Sequence, residues 1–322
     1  MAKSEGEPYW KFLVLLRTVF CELVHSVNGA FCKIALWPAS RWSAIAKFNY
    51  PAQNFKSRTR KRQDQRVFMV YEIFKKVVLG LTPLRCQLPL RFQYERLIGR
   101  LESEMDILND LLGSKKLVVD VGANVGLFSY FLSKMGKDVE AFEPLPECAH
   151  AIDAYRSSRI RVHNVALSSK QGTLKLYTPL INGVPYPGNS SFTPVEGLHE
   201  SREVSVQTLD QYNYDEVCLI KIDVEGHELD VLKGAAQTLL RQRPVLLIEI
   251  EQRHLQMPMS EVFAYVLEQR YNGFFLFSGK LTPLSDFVPE IHQDVGDLHS
   301  PGYINNFIFL PEETPVPEHL QG

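Results

Sequence analysis

The sequence predicts a doubly wound α/β protein with a mostly parallel, seven-stranded sheet and an N-terminal helical extension, and three observations carry that prediction. Beyond Gly113, short apolar runs alternate with amphipathic segments, the pattern of βαβ units feeding a parallel sheet. The first of these runs ends in Asp120 and passes through Gly122-Ala-Asn-Val-Gly126 into a helix with Phe128, Phe131, Leu132 and Met135 on one face. The second, Val139-Glu-Ala-Phe142, ends in Glu143, where a doubly wound fold places a carboxylate at the sheet's carboxyl edge.

The N-terminus comes first. Over Tyr9–Trp37 the polar residues Lys11, Thr18, Glu22, His25, Gly29 and Lys33 fall within about 40° of one line at helical spacing, leaving a broad apolar face. This reads as a docking helix, for its own domain, a partner subunit or a membrane surface. A basic cluster follows at Lys56, Arg58, Arg60, Lys61, Arg62 and Arg66; it reads as a solvated linker, with anionic headgroups as the alternative contact. From Val67 the period is helical, and Leu97, Leu101, Met105, Leu108 and Leu112 predict a helix over Gln93–Leu112 that stops at Gly113. The domains are thus 1–66, a helical lead-in at 67–113, the α/β domain at 114–311 and a tail at 312–322.

Strands are expected at Leu117–Val121, Val139–Phe142, Arg161–Val165, Val217–Ile222, Val245–Ile250, Phe274–Phe277 and Asn306–Leu310. Two alternating segments, Thr173–Tyr177 and Glu203–Gln207, flank a Gly/Pro/Asn/Ser-rich loop at Pro179–Gly197 that suits a substrate lid. The 322 residues, 45% hydrophobic and 22% charged, exclude global disorder, and a net charge of -2 gives no global pull on nucleic acid. Five scattered cysteines without paired spacing argue against a disulfide framework or structural zinc and for a reducing, cytoplasmic setting.

The chemistry concentrates at strand ends. Gly122 permits a tight turn and close ligand approach, and Gly126 lets the helix pack closely on the sheet. The loop is neither GxGxxG nor a P-loop, so alone it fits several nucleotide-like cofactors, NAD included. Glu143 is the candidate acceptor for ribose hydroxyls, and Asn164 is assigned to the adenine end. The fourth strand delivers Lys221, Asp223, Glu225, His227 and Glu228 to one junction, and the fifth adds Glu249, Glu251, Arg253 and His254.

Together the loop Asp120–Gly126, Glu143-Pro144, Asn164–Ser168, Thr208-Leu209-Asp210, Lys221–Glu228 and Ile248-Glu249 resemble the FkbM-type methyltransferases over roughly Leu97 to Pro311. The resemblance implies a Rossmann-like class I methyltransferase fold, S-adenosylmethionine as cofactor, and O-methylation of a hydroxyl on a sugar, glycan, glycolipid or polyketide-like acceptor. It places the cofactor against Asp120, Gly122, Ala123, Asn124, Gly126, Glu143, Asn164 and Asp223. Asp223, Glu225, His227 and His254 are the candidate bases for the acceptor's proton, a histidine having the best-suited ordinary pKa. A divalent cation on Asp223, Glu225 and Glu249 is a less favoured option. N-methylation of protein or nucleic acid and a non-catalytic binding module are the alternatives. The expected partners are a small-molecule or glycan acceptor, a membrane face contacted through residues 9–37 and 56–66, and a second copy in a homo-oligomer.

Overall fold

The computed structural model describes residues 82–321, apart from 98, 182, 195–196, 295, 297–299 and 301. The expected docking helix over Tyr9–Trp37 and the basic cluster at 56–66 lie outside the described residues. Helix α1 (Leu84–Leu97) leads in, and the chain then departs from the expected continuous helix. Gly99 takes a left-handed φ of 67° and ends α1, so Met105 and Leu108 reach the core from a 3-10 turn at Ser103–Asp106 and a short helix at Leu108–Leu111. The apolar spacing was real, but it spans three pieces.

Eight strands form the main sheet. β1 (Leu117–Val121), α2 (Leu127–Lys134), β2 (Asp138–Phe142), α3 (Pro146–Asp153) and β3 (Ile160–His163) build its first half. β4 (Ala166–Leu167), β5 (Gly172–Ile181), β6 (Val184–Pro185) and β7 (His199–Gln207) form a separate four-stranded sheet. β8 (Val217–Ile222), α4 (Glu228–Lys233), α5 (Ala236–Gln242), β9 (Val245–Glu249), α6 (Met259–Glu268), β10 (Tyr271–Phe277), β11 (Lys280–Pro283) and β12 (Asn306–Pro311) complete the main one.

The order is β11-β10-β12-β9-β8-β1-β2-β3, with β3, β2, β1, β8 and β9 parallel and β12, β10 and β11 added antiparallel. All seven expected strands are present. The eighth, β11, was missed: Ser278 and Gly279, both left-handed at φ 50° and 77°, make a two-residue hairpin that returns Lys280 beside Phe277.

Each face of the sheet buries its own core. Val119, Ile220, Ile222 and Leu246 pack beneath Leu229, Leu232, Val262 and Val266 on one side. On the other, Val118, Leu219 and Leu247 meet Leu88, Phe92, Phe128 and Leu132. The chain leaves β1 toward β2 and β3 on one flank and resumes at β8 on the other. The carboxyl ends of β1 and β8 therefore diverge around a crevice, the switch point where such folds bind ligands.

Candidate cofactor and acceptor site

An open cleft of about 570 Å³, counting its solvent-filled mouth, occupies that switch point. Val121, Gly122 and Asn124 line it from the β1 loop, Phe142, Glu143 and Pro144 from β2, and Asp223, Val224 and Glu225 from the end of β8. Pro187, Gly188, Ser190 and Phe192 close it from the loop expected to be a lid.

The β1 loop is shaped by its glycines. Gly122 has φ 79°, and a Cβ there would lie 1.8 Å from the Asp223 carbonyl oxygen, so only glycine lets β1 and β8 close on each other. Gly126 has φ 83° at the start of α2, where a Cβ would come within 2.7 Å of Ile152. Asn124, itself left-handed at φ 49°, donates its backbone N–H to Glu143 Oε2 at 2.8 Å, and Leu145 N–H donates to Oε1 at 2.8 Å. Glu143 is thus fixed by one N–H per oxygen and is 5% exposed. Burial pushes its carboxyl up to about 7 despite those hydrogen bonds.

Asn164 does not line the cleft. Its amide donates to the carbonyls of Glu143 and Pro144 at 2.9 and 3.0 Å, holding the turn that presents Glu143. Ala123 is buried in the core beneath the loop.

A second polar group lies behind the cleft wall. Strand alternation carries Val118 to Asp120, Leu219 to Lys221 and Leu247 to Glu249 on the same sheet face, and Asp120 pairs with Lys221 in register. Lys221, 3% exposed, donates to Asp223 Oδ2 at 2.9 Å and lies 5.1 Å from the Phe128 ring centre. Burial alone would lower its ammonium, but Asp223, Glu102, Asp120 and Glu249 together raise it. Asp120 is fully buried; Ser129 donates to its Oδ2 at 2.5 Å, while Oδ1 has no partner. Glu249 accepts from Asn305 at 2.8 Å, and burial first, then Asp223, raises its carboxyl well above the usual range.

The junction after β8 separates the proposed bases. Glu225 faces the cleft with φ 49°, and His254 Nε2 lies 2.9 Å from its Oε2, off the hydrogen-bond line. Gly226, at φ 96°, leaves room for the His254 carbonyl, which a Cβ would meet at 2.3 Å. Ser191 Oγ ties the lid loop to the Glu225 carbonyl at 2.7 Å. His227 points elsewhere: Nε2 meets Ser168 Oγ at 2.9 Å, the ring packs 4.7 Å from Phe192, and burial lowers its pKa. Asp223, Glu225 and Glu249 are engaged by Lys221, His254 and Asn305 respectively. Among the described residues no three or more His, Cys, Asp or Glu side chains are grouped to hold a metal ion.

Sequence reasoning missed Glu102 and the pairing of Glu225 with His254. Glu102 precedes β1 and carried no motif; its Oε2 is buried and unpartnered, and burial pushes its carboxyl up to about 7 against the pull of Lys221.

Residues 120–274 match the family described as the methyltransferase FkbM domain. Methyltransferase sdnD of Sordaria araneosa is 31% identical, the match covering 40% of this chain and 63% of that protein. Hexuronic acid methyltransferase AglP of Haloferax volcanii is 27% identical, covering 44% and 60%. The chain thus spans about three fifths of the length of these relatives. Methyltransferase FkbM from Methylobacillus flagellatus shares 18% identity and a TM-score of 0.40, covering 76% of this chain and 60% of that one.

Proposed function

We propose that this chain, which carries an FkbM methyltransferase domain over residues 120–274, transfers a methyl group from S-adenosylmethionine to a hydroxyl of a sugar, glycan or polyketide-like acceptor. One observation carries the reading: the cleft at the β1/β8 switch point has Glu143 on its wall, anchored through both oxygens by backbone N–H groups. Each oxygen keeps a lone pair, so the carboxylate suits a vicinal diol such as a ribose. The residues also fit the cofactor's positive charge: around Lys221 four carboxylates gather, and Asp120 Oδ1 is buried without a partner among the described residues.

When bound, the cofactor supplies an electrophilic methyl on a sulfonium centre. The chain's contribution is alignment and proton removal. Gly122, Asn124 and Glu143 fix one side of the cleft, Asp223 and Glu225 the other, and orientation of this kind is worth up to about 7–11 kcal/mol. Glu225, with His254 behind it, is the proposed acceptor of the hydroxyl proton; His227, turned to Ser168, supports the lid residue Phe192. Pro187–Phe192 exclude water and shape the acceptor's side of the cleft. No helix among the described residues is long and apolar enough to cross a membrane. Peripheral contact through residues 9–37 and 56–66 belongs to the same proposal, and a variant lacking residues 1–66 should lose any vesicle binding the full chain shows.

The test has two arms. Calorimetry should show binding of S-adenosylhomocysteine and none of NAD; the reverse overturns the cofactor assignment. Label from methyl-labelled cofactor should then enter a product of a cell extract as a base-stable methyl ether. Release of volatile methanol under mild base, or label on an amine, would overturn hydroxyl methylation.

A further inference from the structure

Four carboxylates surround Lys221, and only some of them are satisfied. Asp223 takes the lysine's hydrogen bond, Glu249 accepts from Asn305, and Asp120 keeps one oxygen on Ser129. That leaves Asp120 Oδ1 and Glu102 Oε2, two buried acceptors with no donor among the described residues, around the same ammonium. A buried carboxylate oxygen without a donor is costly, by about 1–3 kcal/mol or more. Two such acceptors around one ammonium, whose hydrogen-bond partner Asp223 lines the cleft, are complementary to a donor carrying several N–H groups and a positive charge.

Glu102 is also placed differently from its neighbours. Asp120, Lys221 and Glu249 sit in strands whose register fixes them. Glu102 instead occupies the extended joint, φ -60° and ψ 130°, immediately before the 3-10 turn Ser103–Asp106, ahead of the matched domain. It belongs to no regular element, so its carboxylate can adjust to a guest without disturbing a strand.

We propose that Glu102 is a binding residue of the cofactor site, taking the α-ammonium of the cofactor's amino-acid end together with Asp120. The inference rests on the S-adenosylmethionine reading and extends the site beyond the FkbM match into the segment before β1. Lys221 holds Asp223 toward the cleft and keeps the chamber from repelling itself, while the incoming ammonium supplies the donors that Asp120 and Glu102 lack. Glu102 faces Lys221 and Asp223 from β8 and its end, Asp120 from β1, Glu249 from β9 and Glu104 from its own segment, so any guest cation is felt by all of them.

The test compares two ligands that differ only at this end. S-adenosylhomocysteine carries the amino-acid group; 5′-methylthioadenosine lacks it and keeps the adenosine that Glu143 would hold. In the full chain, Glu102→Gln should weaken S-adenosylhomocysteine by about tenfold or more, the loss of a charged hydrogen bond, and leave 5′-methylthioadenosine within about twofold. Glu102→Asp should recover part of the loss. The pH dependence adds a second readout. Glu102 ionises to receive a cation, so S-adenosylhomocysteine affinity should rise as pH passes through about 7, and Glu102→Gln should remove that part of the rise. Glu143 contributes a rise shared by both ligands and untouched by the variant. Equal loss for both ligands, or none for either, overturns the inference while the cofactor reading stands. Failure of the unaltered protein to bind either ligand overturns both.

Discussion

At the end of β2, Glu143 is buried with each oxygen on a backbone N–H, whereas two strands away, on β8, Lys221 is buried among four carboxylates of neighbouring strands and loops. Both are buried polar groups at the same cleft, Glu143 on its wall and Lys221 bonded to the wall residue Asp223, yet they are stabilised by different means. The Glu143 end is held by main-chain geometry: the turn after β1 and the turn after β2 both aim their N–H groups at it. The Lys221 end is held by charge, and its balance changes with every proton or guest it gains. A backbone-anchored carboxylate is suited to reading a fixed neutral shape such as a diol. A charge-balanced chamber is suited to a cationic guest, because charge interactions strengthen when water is excluded.

The comparison breaks most visibly at Lys221. Lys221→Met should remove the buried ammonium around which the four carboxylates gather and leave Asp120 and Asp223 without it, costing about 3–5 kcal/mol at pH 8. Melting temperature should fall by roughly 10 °C at that pH and by much less at pH 5, where the buried carboxyls of Asp120, Glu102 and Glu249, all raised by burial, take up protons more readily. An equal drop at both values would mean that Lys221 acts by packing on Phe128 and not by charge.

The Glu143 end should respond to pH in the opposite sense to an ordinary salt-bridged acid. Its folded-state carboxyl is raised from 4.5 to about 7, so the folded protein holds its proton longer than the unfolded chain does. Stability from this group is fully present below about pH 4.5 and is lost as pH climbs to about 7, on the order of 3 kcal/mol in all. Glu143→Ala should flatten that slope in denaturant titrations and abolish S-adenosylhomocysteine binding while the protein stays folded. Retained binding would place the cofactor elsewhere.

The two ends also differed in how legible they were beforehand. Glu143 stood out because it closes an apolar run just before a proline, and β1 and β8 were read to the residue because their side chains are buried on both faces. The Lys221 chamber was written in the same strands, as Val118-x-Asp120, Leu219-x-Lys221 and Leu247-x-Glu249. Only knowledge of strand order and register puts those three alternations side by side. Glu102 had no signal at all, since it lies where apolar helical spacing ran through a chain that Gly99 breaks. The two carbonyl partners of Asn164 were illegible for a similar reason: a sequence places a residue at a strand end but does not say which neighbour its amide will meet.

The smallest expected effect tests that last point. Asn164→Ala removes two hydrogen bonds from an exposed side chain to the Glu143 and Pro144 carbonyls, so stability should fall by only about 1 kcal/mol. Its effect on binding separates brace from ligand. A brace shifts the Glu143 turn and weakens S-adenosylhomocysteine and its inosyl counterpart, which lacks the adenine amino group, by the same factor. A direct contact to that amino group would weaken S-adenosylhomocysteine alone. Because the observed amide is spent on two carbonyls, the equal loss is expected, and it would make Asn164 part of the backbone scaffold that distinguishes the Glu143 end from the charged chamber beside it.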